Sequence, residues 1–404
     1  MSFELTNDQR LYFGLEPIAS GWEKVLLKRD TYRPESTIYF DGDTIKRHII
    51  STDDKYEEKQ YDDQTRERAY LLPVTTKGKE KKLTASVLES RQPQGVYCYL
   101  DKHNRILIGS YDTQTTFYDS WLNNRDSTVL RPINECVSHF ISETPTTYLT
   151  EIDVFKKAKR KNVKFKRGDI FAFKINLHEY AFGHILLNID DLKKKGLISK
   201  EHGLTLIMGK PVLINLYAFT SKSKNIDVEQ LSNEPRLPSD YIMDNKLFYG
   251  EYEIIGNKQL SANEMDFPMS YGRHMDARRN TVFFQWGLIH IELPFSSFNK
   301  YLSANNRLVP ETSSSRNVYN PYGYYGVGFS SRYVGKDIED TIETGGIFDY
   351  ENNAGFKVNF DLRNPQNQTI KNEIMCAFGL DPAKSYDENC TIANTINTAA
   401  LLKL

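Results

Sequence analysis

The pattern of apolar and polar positions near the middle of the chain predicts a two-stranded antiparallel ribbon. Residues 166–187 read KRGDIFAFKINLHEYAFGHILL. Alternate side chains of an extended strand share one face, so the large apolar residues of DIFAFKI line up together. A turn near His178-Glu179 reverses the chain and places His184 inside the return strand. The two histidines then lie apart, and they are poor candidates for joint ligation of one metal.

Similar strand patterns occur on both sides of this ribbon. Residues 36–50 read as a hairpin with an Asp-Gly turn, and residues 95–112 read as another. Residues 204–221 and 247–260 are rich in residues that favour strands. The run DDKYEEKQYDDQTRER at 53–68 has little apolar content. It is predicted to be a solvated connection or an exposed edge.

The stretch NTVFFQWGLIHIELPF at 280–295 reads as one strand with a bend or bulge at Gly287. In such a strand Trp286, Leu288 and His290 alternate onto a common face. Trp286 could fill the core, or it could be an exposed anchor for a partner, because a tryptophan buries a large area at small entropic cost.

Composition favours a β-rich fold, since 12% of the residues are aromatic and flat rings pack well on sheets. The predicted class is α+β, with antiparallel sheets or a partly open barrel and a few peripheral helices. Three sections are predicted: a β-rich section of unknown role (1–150), a central domain (160–300) and a C-terminal extension (301–404). The extension has an aromatic loop at 319–333 and one or two terminal helices.

Charge and cysteine usage exclude several classes of protein. The net charge is −1, which argues against attraction of the whole chain to nucleic acid or to an anionic membrane. The four cysteines are widely spaced without a CxxC pair, so neither a disulfide scaffold nor a structural zinc site is indicated. The most apolar segment, 203–219, contains Lys210 and Pro211 and is too short to span a bilayer. We expect a soluble cytoplasmic protein.

One local charge run stands out at 154–168. It holds eight basic residues and no acidic one, all eight within 156–167. Such a run could contact phosphates, or it could be a solvated linker or an edge strand protected by lysines. It is also the predicted boundary between the first two sections.

The motifs of common catalytic sites do not occur in the sequence. We find no HExxH zinc motif, no GxSxG elbow and no GxxxxGK[ST] phosphate loop. The pair Glu251 and Glu253 could perform acid–base work, although a carboxylate pair on a water-facing strand is usually a solubilising surface. The prediction is therefore a protein without catalytic residues, metal ligands or a cofactor.

Four segments, in order, resemble immunity protein 26 of bacterial polymorphic toxin systems. They are GDIFAFKINLHEYAFGHIL, KPVLINLYAF, LFYGEYEIIGNKQLSANEMDFP and FFQWGLIHIEL, within about 165–295. The shared pattern is a Gly-Asp before a strand, an aromatic-Gly return strand, a G-x-[WY]-x-IIG segment and an acid-rich turn before Phe-Pro. The matching positions are Gly168, Asp169, Phe182, Gly183, Gly250, Tyr252, Ile254, Ile255, Gly256, Glu264, Asp266, Phe267 and Pro268.

The resemblance implies a cytosolic antidote that binds a cognate toxin protein and performs no chemistry. The candidates for partner binding are Tyr180, His184, Glu264, Asp266 and Trp286. The alternative is a nucleic-acid-associated module or a hydrolase that uses the basic run at 156–167. The oligomeric state and the identity of the toxin stay open.

Overall fold

The computed structural model describes residues 3–74, 77–122, 130–207, 209–274, 276–302, 334–348 and 361–403. They form a mixed α+β fold with three antiparallel sheets, and no sheet among the described residues closes into a barrel. The predicted α+β class is confirmed. The aromatic loop predicted at 319–333 lies outside the described residues.

The chain divides into two compact units. The first unit comprises Met1–Val163, Asn176–His178 and Tyr249–Glu251. The second unit comprises Lys164–Ile175, Glu179–Phe248 and Tyr252–Leu404.

The first unit is built on a nine-stranded sheet. Seven strands follow the order β1-β2-β3-β4-β7-β8-β9, and β5 and β6 extend from one end of β4. The Asp-Gly turn predicted between β2 and β3 is present, with Gly42 in the left-handed region at φ 60°. The strands are β1 (Glu23–Leu27), β2 (Ser36–Asp41), β3 (Thr44–Ser51), β4 (Lys55–Arg66), β5 (Tyr70–Leu71), β6 (Lys81–Lys82), β7 (Gln94–Asp101), β8 (Ile106–Ser110) and β9 (Thr115–Asp119).

Strand β4 corrects the prediction for residues 53–68. It is a central strand, bonded to β3 on one side and β7 on the other. Its Tyr56, Glu58 and Tyr61 side chains are buried. The prediction was wrong because it treated every charged residue as solvated, whereas the charge of Glu58 is neutralised inside the unit.

Glu58 is the centre of a buried ion network. Arg10 Nε donates to Glu58 Oε1 at 3.0 Å, and Arg47 Nε lies 3.2 Å from the same oxygen. The Tyr56 hydroxyl donates to the other carboxylate oxygen. Burial raises the pKa of Tyr56, and the adjacent Glu58 charge raises it further, so the hydroxyl keeps the proton that it donates. Glu58 and Arg47 are 0% exposed and Arg10 is 3% exposed.

Four helices complete the first unit. Thr6 caps the first helix: its hydroxyl accepts from the Gln9 N–H at 3.2 Å, and the Gln9 side chain accepts from the Thr6 N–H at 2.9 Å. Phe140 on the third helix packs edge-on against Tyr148 on the fourth, with ring centres 5.8 Å apart. The helices are α1 (Asn7–Tyr12), α2 (Ala85–Glu89), α3 (Ile133–Glu143) and α4 (Tyr148–Lys156).

The second unit contains a five-stranded antiparallel sheet in the order β13-β12-β11-β10-β14. The ribbon predicted at 166–187 is confirmed as the β10–β11 hairpin. The predicted strands at 204–221 and 247–260 are shorter, because a 3-10 turn at Gly203–Thr205 and a short helix occupy their first residues. The strands are β10 (Asp169–Lys174), β11 (Tyr180–Asn188), β12 (Pro211–Ser221), β13 (Asp240–Met243) and β14 (Glu253–Asn257), and the short helices are α5 (Ile189–Lys194), α6 (Val228–Leu231) and α7 (Asn245–Phe248).

The two faces of this sheet carry different side chains. One face buries Phe171, Phe173 and Leu216 and is packed by helix α8 (Val334–Thr344), whose Ile338 is fully buried among them. The other face buries Phe182 and a group of polar residues that forms the site described below.

A three-stranded sheet follows, and it corrects the single strand predicted at 280–295. Strands β16 and β17 form a tight hairpin around Gly287, whose φ is 57°. Gln285 pairs with His290, so Trp286 and His290 lie on opposite faces rather than on a common one. Gly287 therefore lies in a turn that reverses the chain between two strands, rather than at a bend within one strand. The strands are β15 (Met269–Arg273), β16 (Thr281–Trp286) and β17 (Ile289–Pro294).

Three helices close the second unit, where one or two were predicted. Ile374, Met375 and Phe378 pack with Tyr271 and Phe284 of the three-stranded sheet. None of the described helices is long and apolar enough to cross a membrane. The helices are α9 (Gln368–Ala377), α10 (Tyr386–Ile392) and α11 (Thr398–Lys403).

Candidate functional site

A pocket of about 330 Å³ in the second unit is lined by charged side chains from separated parts of the chain. We call it the Arg236 pocket. Its polar lining side chains are Asn215, Arg236, Asn263, Glu264, Asp266 and Arg363. Leu237, Pro238, Ile347 and Phe348 form its apolar wall.

Strand β12 positions the inner side of this pocket. Asn215 pairs directly with His184 on β11, so the two side chains share a face of the sheet. Tyr217 lies two residues further along the same face, and its ring centre is 5.4 Å from the Arg236 guanidinium. This distance is typical of a cation–π contact, which holds Arg236 over the sheet.

Arg236 is paired with the first of the two carboxylates. Its Nη2 donates to Glu264 Oε1 at 2.6 Å, and the Ser261 N–H and hydroxyl donate to Oε2 at 2.9 and 2.7 Å. Burial alone would raise the pKa of Glu264, but these hydrogen bonds outweigh it and lower the pKa to about 2. Glu264 is therefore ionised at neutral pH.

The second carboxylate, Asp266, is held by Arg363 and Ser239. Arg363 Nη1 and the Ser239 N–H each donate to Asp266 Oδ2 at 2.7 Å. Arg363 also donates through Nη2 to Asp361 Oδ2 at 2.8 Å, and Asp361 is fully buried. Arg363 thus ties the C-terminal part of the chain to the acid-rich turn.

Asn215 differs from these paired groups. The residue is 3% exposed, and its buried Oδ1 has no hydrogen-bond partner among the described residues. The pocket therefore combines two ion pairs with one amide oxygen that has no hydrogen-bond partner.

Two of the five predicted partner-binding residues meet in this pocket. Glu264 and Asp266 line it, whereas His184 is 0% exposed beneath the same face, with Nε2 3.2 Å from the Lys258 carbonyl oxygen. Tyr180 is half-buried at the start of β11, with the Lys174 ammonium 5.7 Å from its ring centre. Trp286 is half-buried in the three-stranded sheet, edge-on to a terminal-helix tyrosine.

The sequence reasoning missed Asn215, Arg236 and Arg363. Asn215 sits in a run of apolar strand residues, and a polar residue at an inward position of such a strand was the only available signal. Arg236 and Arg363 lie in loops whose approach to the sheet depends on the tertiary fold.

A second polar cluster, around His290, has the ingredients of acid–base chemistry. His290 Nδ1 lies 2.7 Å from Gln285 Oε1, and Nε2 lies 3.4 Å from Glu292 Oε1. Burial lowers the pKa of His290, and the nearby His202 lowers it further, to about 4. The ring is therefore neutral at pH 7. Across the described residues no group of His, Cys, Asp and Glu has the geometry of a metal site. A neutral ring carries one N–H, and a hydrogen bond from Nδ1 to Gln285 joins the two strands of the hairpin.

The cysteines and the proposed glutamate pair offer no activated group. All four cysteines are unpaired, and burial raises the pKa of Cys98 well above its usual value and that of Cys390 to about 11. Glu253 lies on β14 and pairs with Lys224, whereas Glu251 precedes the strand and accepts a hydrogen bond from the Thr116 N–H. The prediction that the two share one strand face is wrong.

Part of the basic run at 154–168 is engaged within the protein. Lys156 pairs with Glu16 and Lys157 with Asp153, at 2.8 and 2.6 Å. Arg167 donates to the carbonyl oxygens of Leu401 and Leu402 at the end of α11, where a cation complements the helix dipole.

Comparison with known proteins matches one part of the chain to a family. Residues 166–280 match the family model of Immunity protein 26. The resemblance predicted for about 165–295 is confirmed over these residues. Asn215, Arg236, Glu264 and Asp266 lie inside the Immunity protein 26 segment, and Arg363 lies outside it. No curated protein and no solved structure matches the chain.

Proposed function

We propose that this protein is a cytoplasmic immunity protein that neutralises a cognate toxin by stoichiometric binding, without catalysis. The match of residues 166–280 to the Immunity protein 26 family carries this proposal. The match covers less than a third of the 404 residues, so the first unit and the C-terminal helices are available to widen the interface or to serve another purpose.

The chemistry of the described residues supports binding better than catalysis. The carboxylates of the Arg236 pocket are held by arginines, the buried cysteines are protonated, and the His290 cluster is closed by its own hydrogen bonds. Neutralisation by occlusion needs a complementary surface, commonly near 800 Å² per partner, and no reactive group.

We place the centre of the toxin interface at the Arg236 pocket. Concave, partly desolvated sites flanked by charged groups receive the anchor residues of partners, and arginine is enriched among such residues. The lining charges form the pairs Arg236–Glu264 and Arg363–Asp266, and a partner that matches this arrangement of charges would associate faster and be selected. Tyr180 and Trp286 are half-buried candidates in the same unit, and neither lines the pocket.

The first test is co-expression with the protein encoded by the neighbouring gene. We expect the pair to co-purify as a complex of fixed stoichiometry by size-exclusion chromatography with light scattering. Cells that express the neighbour alone should lose viability and should recover when this chain is present. A harmless neighbour, or a toxic one that is not rescued, removes the basis of the proposal.

The second test places the interface. Asn263→Arg introduces a long side chain at an exposed pocket residue, and Asn225→Arg makes the same change at an exposed loop position of the same unit. Blocking an interface centre should weaken toxin binding by roughly 2 kcal/mol or more, about 30-fold in Kd. We expect that loss for Asn263→Arg in calorimetry and less than about twofold for the control. Equal toxin affinities of the two variants would show that the interface lies elsewhere on the protein.

The nucleic-acid alternative lacks a specific supporting observation. Two lysines of its basic run form ion pairs, and two arginines are hydrogen-bonded within the protein. Steeply salt-dependent binding to DNA or RNA, abolished by Lys156→Glu with Lys157→Glu, would revive it.

A further inference from the structure

The unsatisfied amide of Asn215 is an anomaly inside the second unit. Over nine-tenths of buried polar groups in proteins have a hydrogen-bond partner, because an unmade hydrogen bond leaves the cost of desolvation uncompensated. Asn215 is 3% exposed, its Oδ1 has no partner among the described residues, and it lines the Arg236 pocket. A group bound in the pocket would supply the missing partner.

The charges of the pocket limit what that group can be. Arg236 is paired with Glu264, and Arg363 with Asp266 and Asp361. Each charged side chain of the lining therefore already has an oppositely charged partner. A charged ligand would introduce a partly desolvated charge without a dedicated counter-charge, which is unfavourable. The pocket favours a neutral ligand.

The remaining lining supports the same conclusion. The apolar lining of the pocket consists of Leu237, Pro238, Ile347 and Phe348. Its volume of about 330 Å³ is at the lower end of the range for small-ligand sites, about 300–1,000 Å³. A neutral group of modest size with polar and apolar parts matches this combination.

We propose that the Arg236 pocket binds a neutral carboxamide-type group, with the Asn215 side-chain amide as its hydrogen-bonding partner. A primary amide carries a donor and an acceptor side by side, and so does the Asn215 side chain in either orientation of its amide. Two such groups form a pair of complementary hydrogen bonds. The proposal can hold whether or not the protein neutralises a toxin, because it is tested with small probes in the absence of a toxin.

Benzamide, benzoate and benzamidine provide the test, since they share one shape and differ in charge. Ligand-observed NMR titration of the full chain should give saturable benzamide binding with a Kd on the order of 1 mM, reasonable for nine non-hydrogen atoms. Benzoate and benzamidine should bind at least about tenfold more weakly, because their charges lack a counter-charge. The absence of saturable benzamide binding, or benzoate or benzamidine binding as tight as benzamide, overturns the proposal.

Two variants assign the binding to Asn215. Asn215→Leu removes the amide while keeping a similar volume and should abolish benzamide binding. Asn225→Leu, the same change at an exposed position, should leave it unchanged. The thermal midpoint of Asn215→Leu should equal or exceed that of the parent, because a ligand-binding amide that is unpaired in the empty protein contributes nothing to folding. A clearly lower midpoint assigns a structural role and counts against the proposal, as does unchanged binding.

If Asn215→Leu fails to fold, a substitution in the apolar lining of the pocket still tests the proposal. Phe348→Ala removes apolar contact without changing the amide and should weaken benzamide binding at least threefold.

The source of the carboxamide is then tested with two further probes. Tighter binding of N-acetylglutamine N-methylamide than of nicotinamide indicates a side chain from a protein, and the reverse order indicates a free small molecule. Binding of neither probe contradicts the proposal.

Discussion

The network around Glu58 and the Arg236 pocket combine guanidinium and carboxylate groups in two opposite ways. In the first unit Arg10, Arg47 and Glu58 are 3% exposed or less, and the tyrosine beside them adds a further hydrogen bond. In the second unit the Arg236 side chain is 18% exposed and the Glu264 side chain is 15% exposed. The first network is buried between helix α1 and strands β3 and β4, and the second borders a cavity.

The difference shows that access of water, more than the type of residue, decides how much an ion pair contributes to the stability of the fold. A buried pair that loses one partner leaves an uncompensated charge, which costs several kcal/mol. A pair at a pocket wall is screened, so its loss costs little, and its geometry is available to organise a ligand. Three substitutions test this contrast.

The largest effect is expected for Glu58→Gln. It leaves the buried Arg47 guanidinium without its negative partner and Arg10 with Glu4 alone, and we expect a loss of about 3–5 kcal/mol in the free energy of unfolding. Urea denaturation followed by circular dichroism measures it. Glu57→Gln, next on the strand and paired with Lys59 near the surface, is the control and should cost about 1 kcal/mol or less. Similar losses for the two would show that the network is not sealed.

An intermediate effect is expected for Arg363→Met. The change leaves Asp361, which is fully buried, without its guanidinium partner, while Asp266 retains the Ser239 N–H. We expect a loss of about 2–3 kcal/mol in urea denaturation, at or just below the range for buried pairs. Arg278→Met, at a side chain that is 91% exposed, should change stability by less than about 0.5 kcal/mol. A negligible loss for Arg363→Met would place Asp361 in contact with water.

The smallest effect at neutral pH is expected for Glu264→Gln, about 1 kcal/mol or less. The pKa of Glu264 is lowered to about 2 in the folded protein from an ordinary 4.5, so its charge stabilises the fold above pH 4.5. That stabilisation is lost as the pH falls from 4.5 towards 2. The difference between parent and variant, measured by urea denaturation at several pH values, should shrink across this window. The exposed Glu229→Gln should show no such trend.

The sequence predicted the β10–β11 ribbon because its alternation and its turn are both local signals. It misjudged β4 because a buried glutamate and a solvated one look alike until Arg10 and Arg47 are placed beside it. It misjudged residues 280–295 because a glycine inside a strand pattern fits either a bulge or a reversal. Only the pairing of Gln285 with His290 distinguishes the two.

The candidate site was predictable only in part. Glu264 and Asp266 were found because they belong to a local acid-rich turn within the family resemblance. Asn215, Arg236 and Arg363 come together from a strand and two loops, and no spacing in the sequence encodes their proximity. His184 was predicted to lie inside the return strand and to be a candidate for partner binding. It lies in β11 but is fully buried, which removes it from any accessible surface.

Helix α8 has a consequence for the transfer of the segment that matches the Immunity protein 26 model to another protein. Ile338 fills the face of the five-stranded sheet that Phe171 and Leu216 line, although it lies far beyond residue 280. Strand β16, which pairs with β15, and strand β17, which pairs with β16, also follow that residue. Residues 166–280 grafted alone would carry an uncovered apolar face and an unpaired strand edge, both of which favour aggregation. Residues 166–280, the part of this chain that matches the family model, are therefore shorter than the piece we expect to fold by itself.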